Sequence, residues 1–185
     1  MRISIKMLLF FLLTFTCSSF AQYGDYKKEP GYIEFGDLTS FESGEKVTEV
    51  MLDERLLKLA AGFTHKEDPQ LQTLLSGLKL VKVNTFEVSD KNEDGLLNKM
   101  KSIDNELTNK KWDRIVKTRD KKENTNVYIK TNSDNTVVGL VVTTFQRNGE
   151  AAFINIVGNI DLESISKLSN NFNIPSLDSI KHKKR

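Results

Sequence analysis

The chain has 185 residues, is 38% hydrophobic and carries 27 Lys and Arg residues against 25 Asp and Glu residues. This length and composition are typical of one globular domain with a core of ordinary size. The formal net charge of +2 is far below the concentrated positive charge that binding to a nucleic acid backbone requires, so no nucleic acid partner is expected.

Residues 1–21 have the pattern of a secretory signal peptide. Arg2 and Lys6 precede a short apolar run, and the small residues Ser19 and Ala21 follow it. The run is about half of the ~20 apolar residues that cross a bilayer, so no transmembrane helix is expected in the mature chain. Cleavage after Ala21 predicts an exported protein, either periplasmic or secreted. The alternative is lipidation of Cys17, which would anchor the protein to a membrane.

Removal of this leader changes the chemistry that remains. Cys17 is the only cysteine, and the loss of Arg2 and Lys6 leaves 25 basic residues against 25 acidic ones. The mature chain would therefore have no disulfide and no thiolate metal site. Its charge would be balanced overall, with a basic tail, residues 175–185, and a correspondingly acidic chain before it. We expect the tail to be disordered, with weak lipid contact as the alternative.

Between the leader and the tail, the sequence predicts an N-terminal arm, residues 22–45, and a single α+β domain, residues 46–174. Glycines and Pro30 interrupt any regular element in the arm. Apolar residues are available to hold the arm against the body of the domain, namely Tyr32, Ile33, Phe35 and Leu38.

Three helices are predicted from apolar residues at helical spacing. Asp53 caps the first, Asp68 followed by Pro69 begins the second, and the third begins near Asp90, with Glu93 placed for a capping-box contact. The expected core-facing residues are Leu56, Leu59, Ala60 and Phe63 in the first helix, Leu71, Leu74, Leu75 and Leu78 in the second, and Leu96, Met100, Ile103 and Leu107 in the third.

The predicted strands cover residues 46–52, 79–88, 112–119, 126–131, 136–145 and 151–158. The last four are joined by short polar turns, including the pair Asn148-Gly149, and this indicates an antiparallel meander. The last two are apolar at both alternating positions and are placed in the middle of the sheet, covered on each side. With a final helix after residue 160, the expected fold is α+β, a mixed and largely antiparallel sheet with helices packed on it in the order β-α-α-β-α-β-β-β-β-α.

Several stretches together resemble the family called domain of unknown function 4252, which comprises small exported bacterial proteins. They are "PGYIEFGDL", "LLKLAAGF", "LLSGLKLVKVNTFEV", "VVGLVVTTF" and above all "AAFINIVGNIDLESISKL". The resemblance implies export, a single α+β domain and a genetic neighbourhood of sigma and anti-sigma factors. It implies no reaction, cofactor or catalytic residue.

The segment "IVGNIDLESI" resembles an anion-binding corner, in which a glycine after a strand leads into a helix N-terminus. Asp161 is expected to cap that helix itself, and Glu163 adds a second negative charge to the same turn. We therefore interpret Gly158, Asn159 and Asp161 as a structural corner rather than a phosphate site.

Other chemistry is weakly supported by the sequence. His65, beside Glu67 and Asp68, is the one histidine outside the tail, and neither a G-x-S-x-G elbow nor a P-loop occurs. The carboxylates at predicted helix starts are explained by helix capping, namely Asp53, Glu54, Asp90, Glu93, Asp161 and Glu163. The aromatic residues are assigned to the core, namely Tyr32, Phe35, Phe41, Phe86, Trp112, Tyr128, Phe145 and Phe153.

The sequence therefore predicts neither a metal nor a cofactor. It favours a non-enzymatic interaction or regulatory module of the cell envelope, in the sigma and anti-sigma context that the resemblance implies, with an unknown envelope protein as partner. The first alternative is a binder of a small apolar or envelope-derived ligand. The second is a hydrolase that uses paired carboxylates.

Overall fold

The computed structural model describes residues 25–41, 46–64, 68–120 and 122–161. Six strands form one antiparallel sheet in the order β1-β2-β6-β5-β4-β3. They are β1 (Val47–Asp53), β2 (Leu78–Glu87), β3 (Asp113–Arg119), β4 (Glu123–Thr131), β5 (Val137–Gln146) and β6 (Glu150–Ile160). The helices of the described residues are α1 (Glu54–Thr64), α2 (Pro69–Gly77) and α3 (Glu93–Asn109), with short 3-10 turns at Asp25–Lys28 and Thr39–Phe41.

The α+β prediction is confirmed, and the element order agrees with it from the first strand to the last. The final helix was predicted beyond residue 160 and lies outside the described residues. The C-terminal meander is confirmed as β3 to β6, each strand pairing antiparallel with the next. The two strands predicted to be central, β5 and β6, occupy the middle of the sheet, as their apolar residues on both faces require.

Each face of the sheet has its own core. On one face, α1 and α2 bring Leu57, Ala61, Leu74 and Leu75 against strand residues that include Ile154. On the other face, α3 and the N-terminal arm cover the sheet with a cluster that contains the whole predicted α3 stripe, Leu96, Met100, Ile103 and Leu107. Burial of such side chains contributes roughly 1.5–3 kcal/mol each.

The helix caps were predicted correctly at two positions and wrongly at a third. The Asp53 carboxylate accepts from the Leu56 N–H at 2.9 Å, and Asp68 accepts from the N–H groups of the residues that follow Pro69. At α3, however, Asn92 occupies the cap position, and the Glu93 carboxylate accepts from the Arg147 guanidinium instead of forming a capping box. This ion pair ties the start of α3 to the β5–β6 turn.

The core-facing side of α1 was predicted wrongly at three of its four positions, and Ala60 is the one that packs against the core. Leu57 and Ala61 are buried, whereas Leu56, Leu59 and Phe63 are exposed at 38%, 58% and 79%. The segment "ERLLKLAAGF" is apolar over more than half of its circumference, so spacing alone cannot select the buried face. The sheet and α2 select the side with the small Ala61, where close approach is easiest.

The N-terminal arm is packed into the core of the α3 face. Ile33, Phe35 and Leu38 are buried, and the arm crosses the sheet where Gly31 meets Gly139. A Cβ on Gly139 would lie 2.5 Å from the Cα of Gly31, so only glycine permits this approach of two backbones.

Candidate functional site

The predicted corner has a different geometry from the one expected. Strand β6 continues through Gly158 to Ile160 rather than ending at the glycine. Gly158 has a φ of +135°, and a Cβ there would lie 2.5 Å from the carbonyl oxygen of Gly77. It therefore serves the close approach of β6 to the start of β2, where the pairing register shifts. Asn159 and Asp161 are exposed at the end of the strand.

Other candidate residues have structural roles or lie outside the described residues. Glu54 pairs with Lys58 along α1, and Asp90 is exposed in the turn before α3. The predicted core aromatics are buried except for Tyr32, which is partly buried. Outside the described residues lie Cys17, His65, Glu67, Glu163 and His182. Among the described residues, no group of three His, Cys, Asp or Glu side chains is placed to hold a metal ion.

A cavity of about 270 Å³ opens between α3 and the β3–β4 hairpin. The helix contributes one side of the cavity and the hairpin the other; the lining residues are Leu97, Met100, Lys101 and Asp104 from α3, Lys117, Thr118 and Arg119 from β3, and Asn124 and Asn126 from β4. Lys117 pairs with Asn126 and Arg119 with Asn124 in the sheet register. These four side chains consequently project from the same face, toward α3.

Asp104 is the acidic side chain of this cavity. The Asn126 amide nitrogen donates to both of its carboxylate oxygens, at 3.3 and 3.2 Å. Burial raises the pKa of Asp104, and a hydrogen bond from Tyr128 with the charges of Arg114 and Lys117 offsets only part of that effect. Burial together with the nearby Asp104 charge also raises the pKa of Tyr128. The Arg114 guanidinium lies 5.8 Å from the centre of the Tyr128 ring.

A second feature is an exposed apolar surface on β1 and α1. It consists of Leu56, Leu59 and Phe63 on the helix and of Val47 and Val50 on the strand, which project from opposite faces of the edge strand, and we call it the β1–α1 surface. In the described part of the chain, these five are the large hydrophobic side chains that are exposed. All of them fall within one stretch of 17 residues, which is continuous because β1 leads directly into α1.

The two edges of the sheet differ in how they are protected. The β3 edge carries Arg114, Lys117 and Arg119, and its pairing with β4 is interrupted by a register shift. Charged side chains and bulges of this kind discourage pairing with another strand. The β1 edge has seven consecutive pairs with β2 and no shift, and its only charged residues are Glu49 and Asp53. Among the described residues, no strand pairs with the outer edge of β1, so this edge can accept a further strand.

The sequence profile of one family, described as "Domain of unknown function (DUF4252)", matches residues 41–168. The chain belongs to the DUF4252 family. This confirms the resemblance found in the sequence. No curated protein and no solved structure matches the chain.

The family match includes both features of the structure, the cavity and the β1–α1 surface. The cavity was not predicted from the sequence, although Leu97, Lys101 and Asp104 recur at helical spacing beside the core stripe of α3. Asn124 and Asn126 of "NTN" in β4, which fall on the same strand face, are the other signal. Along the described residues of this DUF4252 chain, no helix is long and apolar enough to cross a membrane.

Proposed function

We propose that this chain is a non-enzymatic interaction module of the cell envelope, and that it binds a protein partner through the β1–α1 surface. The partner adds an extended apolar segment to the open edge of β1 and covers the exposed side chains of α1. The observation that carries the proposal is the concentration of exposed large hydrophobic residues between Val47 and Phe63. Larger exposed apolar areas of this kind mark interaction sites.

The open edge of β1 explains why the partner segment is extended. An edge strand offers a row of unpaired backbone N–H and C=O groups, and strand addition uses them for affinity. Apolar side chains of the added segment then face Val47 or Val50, which are exposed at 39% and 36%. Burial of an exposed apolar side chain by the partner contributes up to roughly 1.5–3 kcal/mol to binding. Leu59 and Phe63 are the most exposed of the five and are expected to contribute most.

The charges around the β1–α1 surface favour a protein partner over a lipid membrane. Residues 46–63 contain three basic and three acidic side chains, Lys46, Arg55 and Lys58 against Glu49, Asp53 and Glu54. Helices that lie on anionic membranes carry an excess of Lys and Arg on the polar side. A balanced rim around an apolar centre is instead what protein interfaces show.

The setting of this interaction is part of the proposal. The signal-peptide pattern supports export with Gln22 as the first mature residue, periplasmic or secreted, with lipid anchoring at Cys17 as the alternative. The family resemblance supports a regulatory partner in a sigma and anti-sigma envelope response. A small apolar ligand is less well supported, because the cavity between α3 and the β3–β4 hairpin has three cationic side chains in its lining, Lys101, Lys117 and Arg119. A carboxylate hydrolase needs two facing carboxyl groups, and Asp104 is the single acid among the lining residues.

The proposal is tested by capture from an envelope extract with matched variants. The bait is the exported protein, whose intact mass checks that it begins at Gln22. Leu59→Asp/Phe63→Asp places two charges on the β1–α1 surface, and Ser102→Asp/Asn105→Asp places the same two charges on exposed positions of α3. We expect one protein to be recovered by wild type and by the α3 control, and its recovery to fall about ten-fold or more with the α1 variant, because buried charges oppose docking.

Two results would overturn this function. One is capture by the α1 variant at the wild-type level, and the other is failure of the wild type to retain any protein. Because all four substituted positions are exposed, circular dichroism should show the same fold in each variant. A stable dimer of the isolated protein would replace the proposed partner with a second copy of the chain.

A further inference from the structure

We propose that the cavity between α3 and the β3–β4 hairpin binds a small hydroxylated anion, such as a sugar acid or a sugar phosphate. This site is separate from the β1–α1 surface, so ligand binding in the cavity does not depend on the proposed protein interaction. Three observations carry it: the charge of the lining, a buried unpaired oxygen on one of the lining residues, and the size of the cavity.

The net positive charge of the cavity lining favours an anionic ligand. Lys101, Lys117 and Arg119 line the cavity with Asp104 as the single acid, which leaves an excess of two positive charges. Among the described residues, none of these three cations has a carboxylate within ion-pair distance. Cations that converge on a cavity without partners favour an anionic ligand, through charge-assisted hydrogen bonds.

One residue of the lining has a buried acceptor that would accept from a hydrogen-bond donor. Asn126 is only 6% exposed and lines the cavity, and its side-chain oxygen has no hydrogen-bond partner among the described residues. Its amide nitrogen is already engaged with Asp104. A buried acceptor without a partner is unfavourable, and a ligand hydroxyl that reaches it would supply the missing hydrogen bond.

A neighbouring group repeats this pattern. Thr143 is the cross-strand partner of Asn126, is fully buried, and its hydroxyl also has no partner within the described part of the chain. Two adjacent unpaired polar groups on one face of the sheet are unusual in a packed core. Both residues lie on the face of the sheet that α3 covers.

The size of the cavity sets the class of ligand. A volume of about 270 Å³ equals about nine waters at ~30 Å³ each, which suits a single sugar ring carrying one charged group. Leu97 and Met100 form the apolar part of the lining and suit the C–H faces of such a ring. The anionic group is then expected near Lys117 and Arg119, with the hydroxyls directed to Asn126 and Asp104.

The test is a calorimetric titration of the purified protein with four probes. Glucuronate and glucose 6-phosphate combine charge with hydroxyl groups, glucose has hydroxyls alone, and acetate has charge alone. We expect saturable binding of glucuronate or glucose 6-phosphate, with glucose and acetate weaker by about ten-fold or more, because loss of a charged hydrogen bond costs roughly 1.5–3 kcal/mol. Comparison of the first two probes distinguishes a carboxylate site from a phosphate site.

Matched double variants locate the site. Lys117→Ala/Arg119→Ala removes two exposed cations from the cavity, and Arg55→Ala/Lys58→Ala removes two exposed cations from α1, on the other side of the sheet. We expect the cavity variant to bind the preferred probe about ten-fold or more weakly, and the α1 variant to bind it like wild type. Asn126→Leu should weaken the probes that carry hydroxyls and leave acetate unchanged.

Three results would overturn the inference. The first is the absence of saturable binding by both charged sugars, and the second is equal binding of acetate or glucose. The third is equal weakening by the α1 variant, which would show a general effect of net charge. The cavity cations are at the surface, so their loss leaves the fold intact and the comparison valid even if Asn126→Leu does not fold.

Discussion

Asp104 is an acidic side chain whose pKa is shifted by its surroundings in α3. It is partly buried, receives both hydrogen bonds from the Asn126 amide group, and has a pKa raised above the ordinary value of 3.8 mainly by burial. The folded state therefore keeps its proton to a higher pH than the unfolded chain does. Stability falls as the pH rises through the interval between these two pKa values, and the loss is complete above the folded value.

Replacement of this carboxyl group should reverse that loss. Asp104→Asn keeps the shape and removes the charge, so we expect the variant to be more stable than wild type at neutral pH, with a difference that shrinks as the pH falls below 3.8. Urea unfolding at a series of pH values measures the difference. A variant less stable than wild type at neutral pH would mean that attraction to Arg114 and Lys117 outweighs burial.

Asp120 offers the matched control, because its pKa is shifted in the other direction. Its carboxylate accepts from the N–H groups of Lys122 and Glu123 at 2.6 and 2.7 Å, and these bonds lower its pKa. Its contribution to stability is present above the ordinary pKa and is lost as the pH falls through the lowered value. Asp120→Asn is therefore expected to reduce stability at neutral pH and to match wild type in acid.

At the scale of elements, Asn155 joins the N-terminal arm to the middle of the sheet. Its side-chain oxygen accepts from the Ile33 N–H at 3.1 Å, and its amide nitrogen donates to the carbonyl oxygens of Gly31 and Leu140. All of these atoms are buried. One side chain on β6 thus satisfies arm backbone groups that would otherwise lack partners where the arm crosses the sheet.

Removal of that side chain should loosen the arm. Asn155→Ala leaves the buried Ile33 N–H and Gly31 C=O unpaired, and we expect a loss of about 3 kcal/mol in the free energy of unfolding together with faster proteolysis near Pro30. The control is Thr143→Val, which is equally buried but removes a hydroxyl that has no partner within the described residues. The control should be as stable as wild type or more so. A loss below about 1 kcal/mol in Asn155→Ala would show that the arm is held by its apolar side chains alone.

Among these elements, the buried stripe of α3 could be predicted from the sequence, and the buried side of α1 could not. The α3 stripe was predicted correctly because the other side of that helix is almost entirely polar, whereas α1 is apolar over adjacent stripes and its exposed side was mistaken for its core. The role of Asn155 was missed because its arm partners lie 122 and 124 positions away. The cavity was missed for a similar reason, since its polar lining exists only when β3 and β4 are in register under α3.

At the scale of the whole molecule, the helices and the N-terminal arm cover both faces of the sheet. Within the described residues, the two edge strands and the exposed side of α1 remain available for contact with a partner. The β3 edge is protected by charge and irregular pairing, and the cavity opens beside it. The β1 edge is regular and apolar and continues into the exposed stripe of α1. The two ends of the sheet are therefore suited to different partners, a small anion at one and a protein segment at the other.

Hydrogen exchange on the captured complex tests the interaction most directly. If the partner adds a strand to β1, the N–H groups of Val47–Asp53 that do not pair with β2 should exchange about ten-fold or more slowly in the complex than in the free protein, because each gains a backbone acceptor. The N–H groups of α3 should exchange at the same rate in both states. Unchanged exchange in β1, with protection appearing at α3 or at the β3 edge instead, would contradict the β1–α1 surface as the site of binding.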